Sequence, residues 1–204
     1  GDIRIGGSSI KGKTVRQIRS LGVGSISEDR MTYGCAPTMS VRDNIIADRH
    51  FTGKYSKGIS LNIKAIQRDT KDLVRQFDVA CPTTDSMAGM LSGGNIQKII
   101  AAREFSSDSK IIIANQPTRG IDVGSTEFIH AQLIKMTRQR GASVLLISAD
   151  LRELIKLSDS LMVMYNGEIS AYFEDASAVT DLELGEYMLG VKKMSAEEIG
   201  RALK

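Results

Sequence analysis

Tryptophan is absent from this chain, aromatic residues are few, and there are only two cysteines and two histidines. Cys35 and Cys81 stand alone, with no CxxC pair. This argues against a disulfide framework or a cysteine zinc site and fits free thiols in a reducing compartment. His50 and His130 are the only imidazoles that could assist a metal. No apolar run approaches the roughly 20 residues of a membrane span; the longest are Ile111–Ala114, Val144–Ile147 and Leu161–Tyr165. No signal peptide is expected either, so any membrane role must come through a partner. The net charge is only +3, with basic residues scattered among acidic ones, and no stripe points to nucleic acid. What remains is an ordinary α/β composition over 204 residues, enough for one domain with a small subdomain.

The pattern predicts a short strand at Asp2–Ile5, a Gly-Ser-Lys turn, a short helix near Val15–Ser20 and a strand at Val23–Ser27. Ser40 is expected to cap a helix through Val41–Ala47, and Phe51–Ser60 to form a surface loop. Asn62 caps a helix whose Ile63, Ile66, Leu73, Val74 and Phe77 suggest one buried face. Pro82 and a linker over Thr83–Met90 lead to Leu91-Ser92-Gly93-Gly94-Asn95 and a helix Asn95–Phe105. Strands Ile111–Ala114 and Val144–Ile147 flank a helix Glu127–Arg140 closed by Gly141. A helix Leu151–Leu157 follows. Asn166-Gly167 then predicts a hairpin of Leu161–Tyr165 with Glu168–Phe173, and a last helix starts at Ser195. Strand–helix alternation with apolar strands after about Lys110 argues for a mostly parallel sheet covered by helices on both faces. The segment Ser40–Met90 reads as a mainly helical insertion.

Gly7-Ser8-Ser9-Ile10-Lys11-Gly12-Lys13-Thr14 matches the phosphate-loop pattern GxxxxGK[ST]. In such a loop, backbone N–H groups cradle phosphates, the Lys reaches their oxygens and the Thr ligates Mg²⁺. That chemistry requires a buried strand before the loop and a long helix after it. Asp2–Ile5 is too short and polar for a central strand, and Val15–Ser20 is too short for a parallel crossover. A basic surface turn is the expectation, with an autonomous NTPase using Lys13 and Thr14 as the alternative.

Two glycines at a helix start let backbone N–H groups approach an anion, and Ser92 adds a hydroxyl donor where the helix favours negative charge. With Ile96-Gln97-Lys98 and the run Ala114-Asn115-Gln116-Pro117-Thr118-Arg119-Gly120-Ile121-Asp122-Val123-Gly124, the chain resembles the ATP-binding subunits of ABC transporters. Ser27-Glu28-Asp29-Arg30 and Ile147-Ser148-Ala149-Asp150-Leu151 extend the resemblance over about residues 18–190. They place it with the second nucleotide-binding domain of tandem simple-sugar and nucleoside importers. Ile96 departs from that pattern, which usually has Gln there.

The resemblance implies an incomplete P-loop NTPase fold: an N-terminal part of the core (1–39), a helical subdomain ending in the signature (40–95), a RecA-like core (96–190) and a tail helix (191–204). It puts the true phosphate loop upstream of Gly1. Ser92, Gly93, Gly94 and Asn95 would be nucleotide-binding, closing over the γ-phosphate of ATP held by the opposite domain. Asp122 would cross the dimer interface while also capping a helix, and Glu28 would stand at the Q-loop position. Asn115 occupies the Mg²⁺ aspartate position, Gln116 that of the catalytic glutamate and Ala149 that of the switch histidine. A neutral amide oxygen is a poor Mg²⁺ ligand, and an amide is no general base. The implied cofactors are ATP and Mg²⁺ in the complete protein. The implied partners are the first nucleotide-binding domain and transmembrane permease subunits, at the cytoplasmic face of the membrane. ABC proteins of DNA repair or ribosomes carry long coiled-coil insertions or basic linkers, and neither is present.

Overall fold

The computed structural model describes residues 1–202. They fall into two compact units, Gly1–Ile147 and the remainder from Ser148.

The first unit opens with β1 (Arg4–Ile5) and β2 (Ser8–Ser9), a two-residue antiparallel pair. Helix α1 (Val15–Arg19) follows, then β3 (Val23–Ile26) and a single π-type turn at Arg30–Gly34. Helix α2 (Val41–Ile46) is capped by Ser40 as expected. Phe51–Ser60 is more than a surface loop. Strands β4 (Ser56–Lys57) and β5 (Ser60–Leu61) pair there, and Tyr55 is buried with its hydroxyl donating to Asp69 at 2.9 Å. In α3 (Ile63–Gln76) and its C-cap, Ile66 and Phe77 are buried, whereas Ile63, the first helical residue, is exposed.

Helix α4 (Gly93–Phe105) is the axis of this unit. It is buried on nearly every side, from Ile96 through Ala102 and again at Glu104 and Phe105. Three parallel strands lie beside it in the order β3, β6 (Ile111–Asn115), β7 (Ser143–Ile147). In register, Gly24 pairs with Ile112 and Ile112 with Val144, while Ile26 pairs with Ala114 and Ala114 with Leu146. On one face Ile26, Ile112 and Ala114 are fully buried and Val144 and Leu146 half-buried, while Leu145 and Ile147 on the other are exposed. Glu104 explains how α4 grips the sheet. Its buried carboxylate accepts from Arg19 at 2.7 Å, Arg103 at 2.9 Å and the Ser25 backbone N–H at 3.0 Å.

Helix α5 (Val123–Arg140) starts four residues before the sequence expectation, because Asp122 caps it and accepts from Ser125 N–H at 2.9 Å. It ends at Gly141, whose φ of 66° is the left-handed cap the glycine allows.

The second unit has α6 (Leu151–Leu157) and the antiparallel hairpin β8 (Leu161–Tyr165) and β9 (Glu168–Phe173), turned at Asn166-Gly167. Helices α7 (Asp181–Met188) and α8 (Ala196–Ala202) complete it. Leu161, Val163, Ala171 and Leu184 form its core, with Leu154 and Tyr187 packed against them.

Candidate nucleotide-facing site

Ser92 is the N-cap of α4 and is exposed. Its Oγ accepts from Asn95 N–H at 3.4 Å and from Asn95 Nδ2 at 2.9 Å. A serine hydroxyl has two acceptor sites and one proton, so with both acceptors used the O–H is left to donate outward. Asn95 cannot flip, because its Oδ1 accepts from the Ala80 backbone N–H at 2.7 Å. The first-turn N–H groups at Gly93 and Gly94 have no carbonyl within the helix to bond. The start of α4 is thus a cluster of outward donors at the positive end of a 13-residue helix.

The two glycines also answer to packing. A Cβ on Gly94 would sit 2.2 Å from Ser125 Oγ and 2.6 Å from an Asp122 carboxylate oxygen, and a Cβ on Gly93 would meet the Arg30 guanidinium at 2.9 Å. Asp122 is held by Ser125, whose N–H and hydroxyl donate at 2.9 and 2.8 Å. Those bonds, the backbone one first, lower its pKa below the ordinary carboxylate range. The N-termini of α4 and α5 are therefore in direct contact.

At the end of β6, Asn115 pairs with Ile147 in the ladder. Gln116 leaves the strand with φ 51°, a left-handed backbone uncommon for a residue other than Gly, Asn or Asp, while its N–H donates to Ile147 O at 2.7 Å. Gln97 of α4 reaches this loop, donating from Nε2 to Pro117 O at 2.6 Å. Glu28 forms an ion pair with Arg119. Ala149 lies in the second unit, exposed, just before the Asp150 cap of α6.

These residues fit Mg²⁺ poorly. Asn115 and Gln116 supply neutral amides, the Glu28 carboxylate is taken by Arg119, and among the described residues no cluster of His, Cys, Asp and Glu could hold a metal. The GxxxxGKT segment does not form a phosphate cradle either. It contains β2, the second strand of the short pair, and ends at Thr14, which makes a capping box with Gln17: Gln17 N–H donates to Thr14 Oγ1 at 3.3 Å, and Thr14 N–H to Gln17 Oε1 at 2.8 Å. The helix beyond has five residues. A cleft of about 1230 Å³ elsewhere in the first unit is lined by Arg19, Phe51, Tyr55 and Asp69 among others, and none of the signature residues reaches it.

No family model matches the chain. Two solved structures of the ATP-binding cassette MJ0796 superpose on 84% of it, covering 72% of their own chain. One is described as the dimeric structure of a bacterial ABC transporter cassette, the other as a dimeric post-hydrolysis state bound to ADP and Pi. Each gives a TM-score of 0.69, at 17% and 18% identity. The fold is that of an ABC ATPase. In sequence, the chain is similar to the glucose import ATP-binding protein TsgD13 of Haloferax volcanii, 39% identical over 83% of this chain. It is also similar to the guanosine import ATP-binding protein NupO of Bacillus subtilis, 36% over 99%, and the nucleoside import ATP-binding protein NupA of Lactococcus lactis, 36% over 93%. The chain spans only 31–39% of the length of these relatives.

Of the residues singled out from sequence, the ABC ATPase fold brings Ser92, Gly93, Gly94, Asn95 and Asp122 together. Glu28 joins the loop after β6 through Arg119, Asn115 ends β6 with Gln116 just beyond it, and Ala149 belongs to the other unit. Arg30, Gln97 and Ser125 carry no site role in the sequence reading, yet they hold this cluster in place. Arg30 was visible only as a letter of Ser-Glu-Asp-Arg; its contacts are 89 and 90 residues away.

Proposed function

We propose that this chain is the second nucleotide-binding domain of a two-domain ABC import subunit for nucleosides or simple sugars. Its role is to lend the start of α4 to ATP held by the first domain. The observation that carries this reading is Ser92. Its hydroxyl is exposed and left to donate, at the N-terminus of a 13-residue helix. The amide pair Asn115 and Gln116 supports the complementary half, a weak site on this domain itself: without a carboxylate, the chain's own residues supply no base for an attacking water. At the partner's site, Ser92, Gly93 and Gly94 bind and orient the phosphate. The names of the similar proteins, ATP-binding proteins for glucose, guanosine and nucleoside import, support the substrate class, and an import role implies permease subunits at the cytoplasmic membrane face.

The test is the steady-state ATPase activity of the complete two-domain subunit assembled with its permease. Ser92→Ala is expected to lower the rate by about 10²-fold, the scale of one lost transition-state donor, and Gln116→Ala to change it by less than twofold. Equal losses, or a larger loss at Gln116, would reject the division of labour.

A further inference from the structure

Arg30 is the residue of the Ser-Glu-Asp-Arg motif that this function leaves unused, and its surroundings are specific. It begins the π-type turn, closed by Cys35 N–H donating to Arg30 O at 2.8 Å. Asp29 fixes that turn by accepting from the N–H groups of Met31 and Thr32 at 3.0 and 2.9 Å. At the far end, Arg103 of α4 donates to Gly34 O at 2.8 Å. Turns of this type are rare and cluster at functional sites. From this anchored base the guanidinium donates to Arg119 O at 2.6 Å and Gly120 O at 2.9 Å, using two arms of its planar fork. The same guanidinium lies against Gly93, where any side chain would collide with it. Gln97 catches the loop from the other side at Pro117 O.

We propose that Arg30 is a positioning residue for the signature turn: it locks the carbonyls of residues 119 and 120 against the start of α4, so that the outward donors of Ser92–Gly94 and the carboxylate of Asp122 are presented as one rigid unit. The inference rests on the reading that the start of α4 meets nucleotide bound by another domain. Three observations support it independently of that reading: the paired carbonyl contacts, the glycine beneath the guanidinium, and the anchored turn that delivers it. Lysine cannot substitute, because one ammonium on a flexible stem does not span two carbonyls in a fixed plane.

The experiment measures kcat and KM for ATP in the complete two-domain subunit with its permease, for Arg30→Gln, Arg30→Lys, Arg30→Ala and Ser92→Ala. It adds hydrogen exchange of the backbone amides in residues 119–125. Displacement of a catalytic contact by about an ångström costs up to 10²-fold. Arg30→Gln and Arg30→Lys are therefore both expected to lower kcat 10- to 100-fold with KM within twofold. Added methylguanidinium should restore part of kcat in Arg30→Ala, and exchange should quicken in 119–125 but not inside α4. An unchanged kcat in Arg30→Gln alongside a crippled Ser92→Ala overturns the inference and spares the functional reading. Silence of both overturns the functional reading itself. A rise in KM alone, or exchange quickened throughout α4, overturns positioning in favour of ground-state binding or bulk stability. A variant too unstable to purify leaves the decision to Arg30→Lys, in which wild-type kcat rejects the proposal.

Discussion

Gly94 shows how closely two roles can share one residue. Its hydrogen lets α4 approach the Asp122–Ser125 cap, where a methyl would stand 2.2 Å from an oxygen. Gly94→Ala is expected to cost about 1–3 kcal/mol through overpacking, measured by urea denaturation; a change below about 0.5 kcal/mol would mean that the contact yields freely. Asp122 gives a pH signature. Its carboxyl is held below the ordinary value by Ser125, so the folded state binds its proton less readily than the unfolded chain. The stabilisation is in place above the unfolded pKa of about 3.9 and is lost as pH falls through the folded value. Asp122→Asn keeps the cap and removes the titration. Its unfolding free energy should therefore fall less steeply than wild type below about pH 4, and parallel curves would count against it.

At the level of elements, stability concentrates where α4 meets β3. Glu104 is fully buried and satisfied by Arg19, Arg103 and a backbone N–H. Glu104→Ala removes one member of a buried charged group and leaves the cations behind, a change worth about 3–5 kcal/mol. Thermal unfolding of the variant should show a large drop in midpoint, whereas a surface pair such as Glu28–Arg119 is worth about 0.2–1 kcal/mol. The elements most legible in sequence were those with local signals: Ser40 before α2, Gly141 after α5, and Asn166-Gly167 between β8 and β9. The helices α4 and α5 start earlier than their apolar periodicity announced, at Gly93 and Val123. Residues poor in helix propensity are recruited there by the caps Ser92 and Asp122. The β4–β5 pair hid in a polar segment because its anchor, Tyr55 bonded to Asp69, depends on a partner 14 residues away. The site followed the same rule. Ser92–Asn95 could be read from consecutive letters, but the hold of Arg30 on residues 119 and 120 exists only once the chain is folded.

For the molecule as a whole, the GxxxxGKT segment is the decisive contrast between pattern and place. The same eight letters that elsewhere wrap phosphate here make part of a two-strand pair and a capped five-residue helix. Lys13→Ala is expected to leave nucleotide affinity of this chain unchanged by isothermal titration with Mg²⁺ and ATP, and the 204-residue chain is expected to show no ATP turnover above background. Tight, Mg²⁺-dependent binding lost in Lys13→Ala would restore the segment as a working loop.

The amide of Asn95 sets the direction of this surface. Locked by Ala80, it hands Ser92 a proton donor and so turns the serine's own proton toward the outside. Replacing that NH₂ with an oxygen, as in Asn95→Asp, leaves shape and spacing intact but invites the serine proton inward. Ser92 would then offer a lone pair where it now offers hydrogen, beside the unchanged N–H groups of Gly93 and Gly94. A single atom of Asn95 decides whether Ser92 presents a hydrogen or a lone pair to whatever meets it.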